Sequence, residues 1–78
     1  MKNKIGLKIK TRREILRLDK AQLAKESGYS RRYILDLEKS HIKNPSAIRL
    51  WNLCKILGLS LDYVVDDSIE VSSAGKTI

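Results

Sequence analysis

The chain has 78 residues and one cysteine, so it holds at most one domain and no internal disulfide. A chain of this size buries only about 60% of the surface it exposes when unfolded, which leaves little room for a deep catalytic cleft. At 42% hydrophobic and 32% charged it has an ordinary globular composition. The lone His41 and lone Cys54 argue against a protein metal site, so no cofactor is expected. No apolar run approaches the roughly 18 residues of a membrane span, and the basic N-terminus lacks the apolar core of a signal peptide. A cytoplasmic location is therefore expected. The net charge of +7 is unevenly spread: residues 1–65 hold 15 of the 16 Lys/Arg and 6 of the 9 Asp/Glu, a balance of +9, and residues 66–78 carry −2. A basic body favours a polyanion, and nucleic acid and anionic membrane both answer to that.

In chain order, residues 4–17 read as a first helix, with Ile5, Ile9 and Leu16 at helical spacing among Lys8, Lys10, Arg12 and Arg17. The basic residues of this helix read as general field. Asp19 is a good N-cap for a second helix over 20–27, with Leu23 and Ala24 facing inward. Gly28 ends it, because glycine takes the left-handed conformation cheaply. Ser30 caps a third helix over 31–39 whose inner face is Ile34, Leu37 and Glu38. Residues 40–44 have no period and read as a loop. Asn44 and Pro45 predict the start of a fourth helix, Asn as N-cap and Pro at the first helical position. Its stripe is Leu50, Leu53, Cys54 and Leu57, with Ala47 and Trp51 beside it; Trp51 and Tyr63 belong to the core or to a dimer surface, the core being expected for Trp51, and Gly58 ends the helix. Ser60 caps a short fifth helix over 61–65. The domain is thus expected to span residues 1–65, with 66–78 as a disordered tail.

The informative stretch is Lys20 to Lys39: helix, the turn Gly28-Tyr29-Ser30, helix. So short a turn fixes two helices at a steep angle. Ala24 is small where the third helix crosses close, Gly28 supplies the positive φ, and Leu23, Tyr29, Ile34 and Leu37 fill the wedge. A plain helical hairpin in another bundle is the rival reading, but the alanine and the glycine both fall where close packing needs them.

The sequence resembles the Cro/C1-type (XRE-like) helix-turn-helix family over residues 5–65. The resemblance rests on Ile5-Gly6, Ile9, Arg13, Gln22-Leu23-Ala24, Gly28-Tyr29-Ser30, Ile34-Leu35-Asp36-Leu37-Glu38, Asn44-Pro45-Ser46 and Leu57-Gly58-Leu59-Ser60-Leu61-Asp62. It implies an all-α, compact five-helix, lambda-repressor-like DNA-binding domain, dimeric and regulating transcription. The chain departs from the family pattern at Lys20, where glutamine is common, at Lys39-Ser40, where glycine is common after the glutamate, and at Leu35, where a small or polar residue is common.

In that geometry the third helix meets base edges in the major groove. Arg32, Leu35, Asp36 and Lys39 share one face, with Arg31 beside them. Arg31 and Arg32 are expected on guanine, Leu35 on a thymine methyl and Asp36 on cytosine N4. The bland alternatives are an i,i+4 ion pair for Arg32 and Asp36 and a singly exposed apolar residue for Leu35; Asp36 could also orient Arg32. Phosphate contacts are expected from Lys20 at the start of the second helix, from Tyr33 on the side of the third, and from Lys39 and Lys43 at the loop, with His41 the weakest of the loop group. Partial packing of Tyr33 and solvated loop charge are the alternatives. Arg13 follows Ile9 by four and Glu38 follows Ile34 by four, so both charges fall on inner faces. The family resemblance implies an Arg–Glu ion pair there.

The sequence therefore predicts a sequence-specific double-stranded-DNA binder, a dimeric repressor on an inverted repeat, with no membrane role. A second reading is an antidote-type protein that neutralises a toxin and regulates its own promoter, using the tail through Ile69 and Val71. An enzyme is not expected, since no nucleophile–base pair, paired acid or metal set is present.

Overall fold

The computed structural model describes residues 4–42 and 44–66. Lys43 and residues 67–78, including Ile69 and Val71, lie outside it, and with them all of the expected tail except Asp66, which is the C-cap of the fifth helix. The described residues form five helices and no strand: α1 (Ile5–Ile15), α2 (Lys20–Ser27), α3 (Arg31–Glu38), α4 (Ala47–Leu57) and α5 (Leu61–Val65).

The cap residues set these boundaries. Asp19 forms a reciprocal capping box: its carboxylate accepts from the Gln22 N–H at 2.7 Å, and the Gln22 side chain accepts from the Asp19 N–H at 2.9 Å. Gly28 closes α2 at φ 79° and Gly58 closes α4 at φ 72°, both left-handed. Ser30 and Ser60 cap α3 and α5 by accepting from the Tyr33 and Tyr63 N–H groups. The fourth helix differs from expectation. Ser46, extended at φ −63° and ψ 130°, is the N-cap and accepts from the Arg49 N–H, so the helix begins at Ala47. Asn44 and Pro45 precede it, since a serine one residue past the proline offers a cap of its own and Pro45 keeps Asn44 out of helical geometry. The first helix ends at Ile15, short of the expected residue 17, because Arg17 turns left-handed at φ 59°. Leu16 consequently leaves the inner stripe and is 40% exposed. The third helix ends at Glu38, with Lys39 as its C-cap and Ser40 at φ 61°.

Helix α1 lies across α3, α4 and α5, and α2 packs on α3 and α4. The core between them holds Ile5, Ile9, Leu23, Ala24, Ile34, Leu37, Leu50, Leu53, Cys54, Leu57, Tyr63 and Val64. Gly6 marks the tightest approach: a methyl group there would overlap the carbonyl oxygens of Leu37 and Glu38 at the end of α3. Trp51, expected in the core, is 53% exposed and lies against its own helix neighbour, with Lys55 Nζ 4.2 Å from the ring centre. The stripe of α4 is filled by smaller residues, and the indole falls just outside the arc they cover.

Two cations of α1 read as general field are instead structural. Lys8 is buried and donates to the carbonyl oxygens of Tyr63 at 2.7 Å and Asp66 at 2.8 Å. Arg12 Nε donates to the Leu57 carbonyl at 2.8 Å. Both meet the C-terminal ends of helices, where carbonyls lack partners and the dipole favours positive charge.

Candidate nucleic-acid interface

Helix α3 is held from beneath by one ion pair. Arg13 Nε and Nη2 grip both oxygens of Glu38, at 2.7 and 3.1 Å, and Nη1 donates to the Leu18 carbonyl at 2.7 Å. The side chains are only 7% and 2% exposed. The hydrogen bonds that the Arg13 guanidinium donates to Glu38 raise its pKa further above its already high ordinary value, against the opposing effect of burial. The forked geometry fixes the roll of α3 about its own axis.

That roll decides what α3 presents to solvent. Ile34, Leu37 and Glu38 point inward, Arg31, Arg32 and Lys39 are exposed, and Leu35 and Asp36 are half-buried. An open cleft of about 590 Å³ runs between the start of α2 and this face, lined by Arg13, Asp19, Lys20, Ala21, Arg31, Arg32 and Leu35. Four of those seven residues are cations and one is an anion, so the cleft suits a negatively charged ligand. Lys20 opens α2, where N–H groups point outward.

The structure brings Arg31, Arg32, Leu35 and Lys20 together around one cleft and places Asp36 beside them. Asp36 is already engaged: its Oδ2 accepts from Arg32 Nε at 3.2 Å, and its Oδ1 lies 3.7 Å from His41 Nδ1. The backbone N–H of His41 also donates to the Asp36 carbonyl at 2.9 Å, which holds the imidazole at that end of the helix. Tyr33 departs from its expected place. Its hydroxyl is buried without a hydrogen-bond partner, and its ring packs edge-on against Tyr29 at 5.4 Å. Packing against the turn keeps its hydroxyl from solvent. Lys39 is exposed at the end of α3.

The sequence reading passed over Arg49 and Asn52. Asn52 Nδ2 donates to the Tyr29 hydroxyl at 3.2 Å and to the Ser27 carbonyl at 3.4 Å, tying α4 to the turn between α2 and α3. The guanidinium of Arg49 lies 5.1 Å from the Tyr33 ring centre and 5.8 Å from that of Tyr29. Their spacing of three residues puts both on one flank of α4, but nothing in the local pattern says that this flank meets α3.

Two helices joined by a three-residue turn that opens on left-handed Gly28, with a cation-lined cleft on the outward side of the second, define a helix-turn-helix DNA-binding domain. The chain belongs to the helix-turn-helix family HTH_3, of the Cro/C1 type, whose model matches residues 9–64. No curated protein matches it by sequence. Among solved structures it is similar to SinR, the master regulator for biofilm formation, in complex with DNA, at 27% identity and a TM-score of 0.75, covering 80% of this chain and 98% of that one. It is also similar to the N-terminal DNA-binding domain of SinR from Bacillus subtilis, at 26% identity and a TM-score of 0.75, covering 86% and 97%. A third similar structure is the SinR protein/SinI protein complex, at 26% identity and a TM-score of 0.77, where the match covers 82% of this chain and 62% of that one. The match thus takes in the whole of a DNA-binding domain and less than two thirds of the longer SinR chain.

Proposed function

We propose that this protein is a sequence-specific double-stranded-DNA-binding transcriptional regulator, acting as a dimeric repressor on an inverted-repeat operator. The observation that carries the reading is the outward face of α3, where Arg31, Arg32 and Leu35 border the cleft that Lys20 closes from α2. The similarity to SinR bound to DNA supports it. Two copies would place their α3 helices in successive major grooves about 34–36 Å apart and exclude polymerase by occupancy. Arg31 and Arg32 read guanine through paired hydrogen bonds, Leu35 meets a thymine methyl, and Lys20, Lys39 and Lys43 hold phosphates. Asp36 acts by fixing Arg32, since its oxygens already face Arg32 and His41. The antidote-type alternative rests on a segment with Ile69 and Val71 that lies outside the described residues, and no observation favours it.

Binding titrations against operator, single-base variants and random duplex, at several salt concentrations, test this reading. Arg31→Ala or Arg32→Ala should cost about 1–3 kcal/mol on the operator and relax preference at one G·C pair per half-site. Lys20→Ala should weaken all sequences alike and lower the salt slope by about 1. Equal loss of operator and random binding in both arginine variants would mean that α3 does not read bases.

A further inference from the structure

Arg49 is an unusual residue for its position. It is the third residue of α4, in a first turn with no acidic residue, where the helix dipole disfavours positive charge. It is exposed, and among the described residues no carboxylate lies within ion-pair distance of it. Two tyrosine rings hold its guanidinium, Tyr33 of α3 and Tyr29 of the turn. The aromatic faces offset part of the unfavourable helix position and restrict the side chain to one place. Among the described residues the side-chain N–H donors of Arg49 make no hydrogen bond, so they remain available to an acceptor beside the rings.

That place is on a defined side of α3. Arg31 and Tyr33 are two residues apart, about 200° around a helix that turns about 100° per residue. Arg31 lines the cleft toward α2 and Lys20, so Tyr33 and the arginine stacked on it mark the opposite flank. A helix about 10–12 Å across fills a major groove about 12 Å wide, and a phosphate backbone then runs along each side of it. We propose that Arg49 is a pre-oriented phosphate clamp for the DNA strand opposite the one held by Lys20, with Tyr33 and Tyr29 as the positioning residues that aim it. The buried Tyr33 hydroxyl accords with this: the tyrosine serves through its ring. This inference rests on α3 entering the major groove.

The test is to titrate wild type, Arg49→Gln and Arg49→Lys against operator and random duplex from 50 to 200 mM salt, with Tm measured for each. Arg49→Gln should weaken operator and random duplex in equal proportion and lower the salt slope by about 0.9, so that its deficit shrinks about 3-fold across that range. Arg49→Lys should restore the slope while leaving affinity below wild type, because an ammonium on a flexible stem does not stack as a plane. A fall in Tm with the salt slope unchanged would make Arg49 a packing residue and overturn the proposal. A changed base preference in Arg49→Gln would also overturn it. Arg31→Ala and Arg32→Ala in the same titrations separate the two ideas: if they alter base preference and Arg49→Gln leaves the slope intact, only the clamp fails.

Discussion

Helix α3 takes part in two arginine–carboxylate pairs that have the same chemistry and opposite surroundings, one with Arg13 of α1 and one within itself. Beneath it, Arg13 and Glu38 are joined by two hydrogen bonds at 7% and 2% side-chain exposure. On its outer face, Arg32 and Asp36 are joined by one at 79% and 28%. The first pair is largely withdrawn from water, so each partner depends on the other to avoid an unpaired buried charge. The second keeps Arg32 in solvent, where attraction is screened and the side chain can turn to another acceptor. One pair therefore fixes where α3 sits, and the other is weak enough for Arg32 to exchange partners.

Breaking the buried pair should give the largest effect. Glu38→Ala should destabilise by about 3–5 kcal/mol in urea or thermal unfolding, and replacing Arg13 and Glu38 together by Met should recover part of that loss. If Glu38→Ala melts like wild type, the inner pair is as solvated as the outer one. Lys8 extends the buried side of the comparison. Lys8→Met should cost about 1–3 kcal/mol by leaving the Tyr63 and Asp66 carbonyls without this donor, with far-UV circular dichroism still reporting a helical fold.

Cys54 is a buried thiol of the α4 stripe. Burial pushes the Cys54 thiol up from 9.0 to about 11. The unfolded chain thus releases this proton before the folded one does. Stability from Cys54 is complete below about pH 9 and is lost as pH rises toward 11, under about 1 kcal/mol of it by pH 9.5. Comparing wild type with Cys54→Ala in urea at pH 7 and pH 9.5 isolates this slope; equal slopes would show a thiol in contact with water. The smallest effect belongs to the outer pair. Asp36→Ala should change stability by only about 0.2–0.5 kcal/mol, yet shift base preference on the operator by freeing Arg32. A stability loss comparable to that of Glu38→Ala would place Asp36 in the core.

Much of this molecule was legible in the order of its residues. Asp19, Ser30, Ser60, Gly28 and Gly58 punctuate the chain through local chemistry, and a cap acts within three or four residues of itself. The inward facing of Arg13 and Glu38 follows from period alone. The reading failed wherever two local signals competed or a distant partner decided. Asn44-Pro45 and Ser46 both offered a start for α4, and only the closed Ser46 hydrogen bond chose between them. Trp51 looked like core by its hydrophobicity and proved to lie outside the arc that α1, α2 and α5 cover.

What the sequence determined by itself was the helix-turn-helix and the outward set of Arg31, Arg32 and Leu35, because both depend on spacing within about twenty residues. What only the tertiary structure decided was the fate of cations whose partners lie far along the chain. Lys8 meets a carbonyl 55 residues away and Arg12 one 45 residues away. Arg49 meets ring faces on α3 and the preceding turn. A basic residue carries no mark of whether its charge will face DNA, a helix end or an aromatic ring; the packing of the helices supplies that neighbour.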